Sequence, residues 1–87
     1  MPGIYSISIG DVAGQTGQGT YSIAIGQSAG SLNQHANSII LNASGFPLNN
    51  TTTGLFVNPI RAVTNMAGGV SGSLWYNTMT NEICYNP

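Results

Sequence analysis

Charge is the scarcest property of this 87-residue sequence: Asp11, Arg61 and Glu82 are its only formally charged side chains, 3% of the chain, where about a quarter is usual. That scarcity excludes partners held by Coulomb attraction. A nucleic acid needs a basic stripe against its phosphates, and an anionic membrane surface needs clustered Lys or Arg. One arginine and one histidine supply neither. The single cysteine, Cys84, allows no intrachain disulfide and has no CxxC or histidine cluster around it to hold a metal. No run approaches the roughly 18–20 apolar residues of a membrane-spanning helix. The opening MPGIYSISIG has neither the basic nor the long apolar region of a signal peptide. Catalytic residue types are equally thin. Asp11 and Glu82 stand far apart in sequence and in different modules, whereas paired-carboxylate chemistry needs two acids flanking one bond. No enzymatic activity, cofactor or metal site is expected.

What is abundant is repetition. YSISIG at 5–10, YSIAIG at 21–26 and NSIILN at 37–42 recur at one constant interval. Ser6, Ser22 and Ser38 align, as do Ile7, Ile23 and Ile39, then Ile9, Ile25 and Leu41; the segments that follow read GDVAG, GQSAG and a degenerate NASG. A short fixed period is the signature of stacked supersecondary units. Disordered chains combine low hydrophobicity with high net charge. Here 41% of residues are hydrophobic and the net charge is −1, so order is expected.

Within each unit large apolar and small residues alternate with period two, the pattern of a strand with two distinct faces. Ile7 and Ile9 share one face and Ser6 and Ser8 the other; Tyr5 and Tyr21 have the parity of the isoleucines and read as packing residues. Serines, β-branched pairs and frequent glycines disfavour helix. Each unit then predicts strand, corner, short return and corner, one coil of a β-solenoid. Three such coils bury too few large side chains to offset the ordering of their backbone alone, and association with further copies makes up such a deficit. The Ser8/Ala24 face reads either as solvated or as a contact with another chain, and its small side chains favour the contact.

These residues carry a resemblance. The repeated pattern Tyr/Asn-Ser-Ile-Ser/Ala-Ile-Gly-x-x-Ala-Gly resembles the head repeats of trimeric autotransporter adhesins, a repeat type shared with viral and phage tail fibres. It implies a left-handed β-roll in each chain and three chains packed about one axis. The match spans 4–45, and Asn42 in place of a glycine marks the third coil as the last. GLFVNPIR (54–61) and LWYNTMTNEICYN (74–86) resemble the segment of viral fibre proteins that precedes an endosialidase-type intramolecular chaperone. That resemblance implies a chain ending at Pro87 where such a chaperone would begin.

Beyond Phe46 no period is evident. The expected organisation is a solenoid over 1–46, a polar linker over 47–54 and a C-terminal trimer cap over 55–87. In the cap, Leu55 and Val57 face one way and Phe56 the other, Pro59 ends the strand, and AVTNMAGGVSGS (62–73) is a flexible link. LWYN and EICY flank TMTN (78–81) as a hairpin. Ile7, Ile9, Ile23, Ile25, Ile39, Leu41, Leu55 and Val57 are the expected packing residues of the trimer core. Arg61 and Glu82 read as a structural ion pair, within a chain or between chains, ahead of a ligand clamp. Trp75 and Tyr76 read as hairpin core, with glycan contact as the alternative, since aromatic faces stack on sugar rings. His35 reads as a solvated loop residue. Asn42, Asn49 and Asn50 each begin an N-glycosylation sequon.

The expectation is an all-β homotrimer that serves as a structural and attachment element of a viral fibre. It is placed at the virion surface or outside cells, with its own copies and a cell-surface glycan as partners. Two alternatives use similar sequences. A bacterial adhesin head should continue into a heptad stalk. An ice-binding or other surface-templating solenoid should show a ladder of Thr, whereas the aligned residues here are serines.

Overall fold

The computed structural model describes residues 3–62 and 72–87. The central part of the 62–73 link lies outside the described residues. The fold is all-β, with no helix among the described residues. β1 (Ile7–Ile9), β2 (Ile23–Ile25), β3 (Ser38–Asn42) and β4 (Gly54–Asn58) form one parallel sheet in sequence order. β5 (Ser73–Tyr76) and β6 (Ile83–Asn86) form an antiparallel hairpin.

Every parallel pairing keeps the interval of the sequence repeat: Ile7 faces Ile23, Ile23 faces Ile39 and Ile39 faces Leu55. Parallel neighbours need a crossover, usually a helix. Here the crossover is itself extended and stacks on the next one, through parallel bridges at Thr16–Leu32 and Ala29–Leu48. Each repeat unit is therefore one rung. Rungs approach so closely that a Cβ on Gly26 (φ 115°) would collide with the backbone carbonyl of Asn42, so the corner after β2 needs a residue with no side chain.

The two strand faces are assigned the opposite way from the usual rule that small polar residues face outward. Ser22, Ala24, Ser38 and Ile40 are buried, and Ala24, Ala29 and Ile40 form the core, with Ala13, Leu48 and Phe56 packed against it. The Ser8/Ala24 face, expected to be solvated or to meet another chain, is instead the inward face of the chain itself; in its central column of Ser8, Ala24, Ile40 and Phe56, only Ser8, in the end rung, is exposed. The repeated serines are corner clamps: Ser22 Oγ donates to Gly19 O at 2.6 Å, and Ser38 Oγ to His35 O at 2.6 Å. Sequence alignment cannot reveal this, because the partner is a nearby backbone carbonyl rather than a side chain.

The expected boundary at residue 46 is also corrected. β4 adds a fourth rung in full register with β3, from Ser38–Gly54 to Asn42–Asn58, so Asn42 does not mark the end of the stack. Of the 47–54 segment expected as a linker, residues 47–53 belong to the return of the third rung and Gly54 already opens β4. That return slips: Ala29 bridges Leu48, where the strict repeat would bring residue 45. The surplus is an excursion held by Asn42, whose Nδ2 donates to Gln27 O at 3.0 Å and Phe46 O at 2.7 Å, and whose Oδ1 accepts from Ser44. Past the slip, side chains replace the lost carbonyls. Asn49 Oδ1 accepts from Leu32 N at 2.9 Å and Asn50 Oδ1 from His35 N at 2.8 Å. β4 ends at Asn58, where Pro59 follows through a cis peptide bond.

Candidate functional site

A parallel sheet is ordinarily covered on both faces. In this chain the returns cover one face, and the other carries two side-by-side columns, Ile7–Ile23–Ile39–Leu55 and Ile9–Ile25–Leu41–Val57. These are the eight residues expected to pack in a trimer core. Within one chain they are not core: all but the half-buried Ile23 are exposed, over 38–57% of their surface. The ladder contains no charged or polar side chain. Tyr5 and Tyr21 extend its upper end, stacked with ring centroids 5.3 Å apart and an interplanar angle of 8°. Both adopt left-handed backbone, φ 56° and 55°, as does the aligned Asn37 at 56°. That conformation is rare for bulky residues; at the start of the first three rungs it turns the chain into the strand.

The hairpin supplies a second apolar surface. Leu74 pairs with Tyr85 and Tyr76 with Ile83, which places these four on one face and the Trp75–Cys84 pair on the other. Every strand residue of the hairpin is exposed, so Trp75 and Tyr76 are not a hairpin core. The turn is well tied: Asn77 Oδ1 accepts from Met79 N at 2.8 Å and Thr80 N at 3.2 Å. Asn81 Nδ2 donates to the Tyr76 hydroxyl at 2.9 Å. Between this hairpin and the lower ladder lies a cavity of about 680 Å³, walled by Ile39 and Leu55 on one side and Leu74, Trp75, Tyr76 and Ile83 on the other. Its polar side chains come from Asn37 and Asn81.

The remaining candidates separate. Glu82 accepts from Thr80 Oγ1 at 2.9 Å, and no ion pair joins it with Arg61 within the described residues of the chain, so of the two forms expected for that pair, within a chain or between chains, the first is not seen. His35 is exposed, as expected of a loop histidine, and its Nδ1 lies 2.8 Å from Ala36 O, a contact that requires the proton on Nδ1. Of the three sequon asparagines, Asn42 and Asn50 are buried with their side-chain oxygens engaged. Among the described residues no three of His, Cys, Asp and Glu cluster as metal ligands, and no helix is long and apolar enough to cross a membrane.

Sequence reasoning missed the interior amides. Gln18 and Gln34, separated by the same interval as the isoleucines, point inward: Gln18 Nε2 donates to Ile7 O and Gln34 Nε2 to Ile23 O, each at 2.9 Å. Their spacing was visible, and a glutamine recurring at the period of the isoleucines is the signal that would have found them. Comparison with protein-family models, with curated proteins and with solved structures finds no match for this chain.

Proposed function

We propose that this chain is a structural and attachment element of a viral fibre, a homotrimer in which each chain contributes a left-handed β-solenoid followed by a small β cap. The bare apolar ladder carries the proposal. Eight aligned Ile, Leu and Val side chains on one sheet face make a contiguous apolar strip, and such strips on soluble chains mark association surfaces. Among the described residues the chain's own core holds three fully buried hydrophobic residues, too few to stabilise a domain of this size alone. Three ladders meeting at one axis supply the missing interior and cover the second sheet face. A charge-free seam also imposes no cost of desolvating ions.

The role that follows is mechanical. Stacked rungs make a stiff rod, and three copies of any surface patch convert weak binding into avidity. Trp75 and Tyr76 are the candidate glycan contacts on that rod, exposed on opposite faces of the hairpin. The test is mass in solution by light scattering after gel filtration. Three times the 9.0 kDa chain mass is expected, and a folded monomer overturns the fibre assignment. A glycan array then separates attachment from a purely structural role.

A further inference from the structure

We infer that Asn49 is a site of N-linked sugar attachment, the one sequon asparagine that this fold offers to a glycosyl donor. Asn42, Asn49 and Asn50 each stand two residues before a Ser or Thr, the spacing of an acceptor asparagine on a surface loop. The motif treats the three alike, but their surroundings do not.

A sugar is carried by the amide nitrogen, Nδ2. In Asn42 that atom donates to both Gln27 O and Phe46 O within a buried residue. A sugar would take the place of one of those hydrogens and open the excursion that they hold. Asn50 is buried and its Nδ2 is enclosed, so a sugar would reach it only by prising open the third return. Asn49 is exposed, and the bond that positions it, from Leu32 N at 2.9 Å, uses Oδ1 and leaves Nδ2 outside it. A backbone N–H can only donate, so this bond fixes which end of the amide faces the rung. A glycosylated amide keeps its carbonyl oxygen, and the acceptor of Leu32 N therefore survives the modification. Thr51, which completes the acceptor motif, is exposed, as are Thr52 and Thr53 in the bend that leads to β4.

The donor class is a sugar linked through its anomeric carbon to a diphosphate, used by a transferase. The bond from Nδ2 to the anomeric carbon forms, and the bond from that carbon to the diphosphate oxygen breaks. The diphosphate leaves with the electron pair, and Nδ2 gives up one proton to a base of the transferase. Asn49 belongs to the return, on the sheet face opposite the apolar ladder, so the inference does not depend on the trimeric reading.

The test treats the folded chain with nucleoside-diphosphate glucose and a sequon-specific transferase already shown active on a short Asn-Asn-Thr peptide. Intact and peptide mass spectrometry are expected to show a gain of a single hexose, located at Asn49. Thr51→Ala should abolish that gain while leaving Asn49 itself and the Asn50 sequon, which uses Thr52. Hydrogen exchange at the Leu32 amide should be as slow in the modified chain as in the parent. A folded chain with no hexose at Asn49, or with hexose at Asn42 or Asn50, overturns the assignment. Faster exchange at Leu32 after modification overturns it too, because the sugar would then have displaced the bond that makes Asn49 compatible with the fold.

Discussion

Ser8 and Ala24 occupy equivalent places in consecutive rungs, and the difference between them has a measurable consequence. Ser8 Oγ donates to Gln18 Oε1 at 2.7 Å, so both the oxygen and the nitrogen of that amide have a partner. In the next rung Ala24 has no hydroxyl, and Gln34 Oε1 is buried without a donor. A buried unsatisfied acceptor costs about 1–3 kcal/mol. Ala24→Ser is therefore expected to raise stability by about 1 kcal/mol in urea denaturation. Ser8→Ala should lower it by less, because Ser8 is exposed and water can take the place of its hydroxyl. An Ala24→Ser curve that matches the parent would mean that the Gln34 amide is satisfied by other means. The room for that hydroxyl depends on glycine: a Cβ on Gly14 would collide with Ser8 Oγ and sit 2.7 Å from Gln18 Oε1. Gly30 leaves the matching space beside Gln34.

At the scale of the rung, stacking distance and the third return govern stability. Gly26→Ala forces a Cβ into the Asn42 carbonyl at a positive φ, and its expected cost is at least about 2–3 kcal/mol, read as a fall in the thermal midpoint. The third return yields a subtler expectation. Because Asn49 Oδ1 stands in for a backbone acceptor of Leu32 N, Asn49→Ala should expose that amide and speed its hydrogen exchange, with a stability loss of about 1 kcal/mol. A loose linker over 47–54 would leave exchange at Leu32 unchanged. The fourth rung was only partly legible. GLFVN preserves the period-two pattern and keeps the interval of the repeat from SIILN, but the slip at Leu48 erases the rhyme between the returns. The missing carbonyls are replaced by asparagine side chains, and composition presents those asparagines as turn formers.

For the whole molecule the exposed ladder decides behaviour. Ile25 is exposed in the chain, while its neighbour Ala24 is fully buried. Ile25→Asp should therefore spare the interior and, in the proposed trimer, bring three carboxylates together at an apolar seam. The expected outcome is a drop in solution mass to one chain. Ala24→Asp is the contrasting variant, since it places a carboxylate in the chain's own core and should prevent folding at any mass. An Ile25→Asp protein of unchanged trimeric mass would show that the seam lies elsewhere.

The spacing of like residues determined by itself that the chain is built of strands, that the strands stack at the interval of the repeat, and that a hairpin stands near the C-terminus. Those properties are local: period two sets the strand, a constant interval sets the rung, and neither depends on what lies across the core. Which face turns inward was decided only in three dimensions. Isoleucine is the more hydrophobic choice for an interior, but at the upper rungs the returns stack close to the strands, with room for Ser8 and Ala24 and for the amides of Gln18 and Gln34. Larger side chains enter that column at Ile40 and Phe56, where the return departs from the repeat and brings Leu48 into the core. The isoleucines are thus turned outward by the width of their own rung, and an apolar face with no cover inside the chain is a property of the tertiary structure alone.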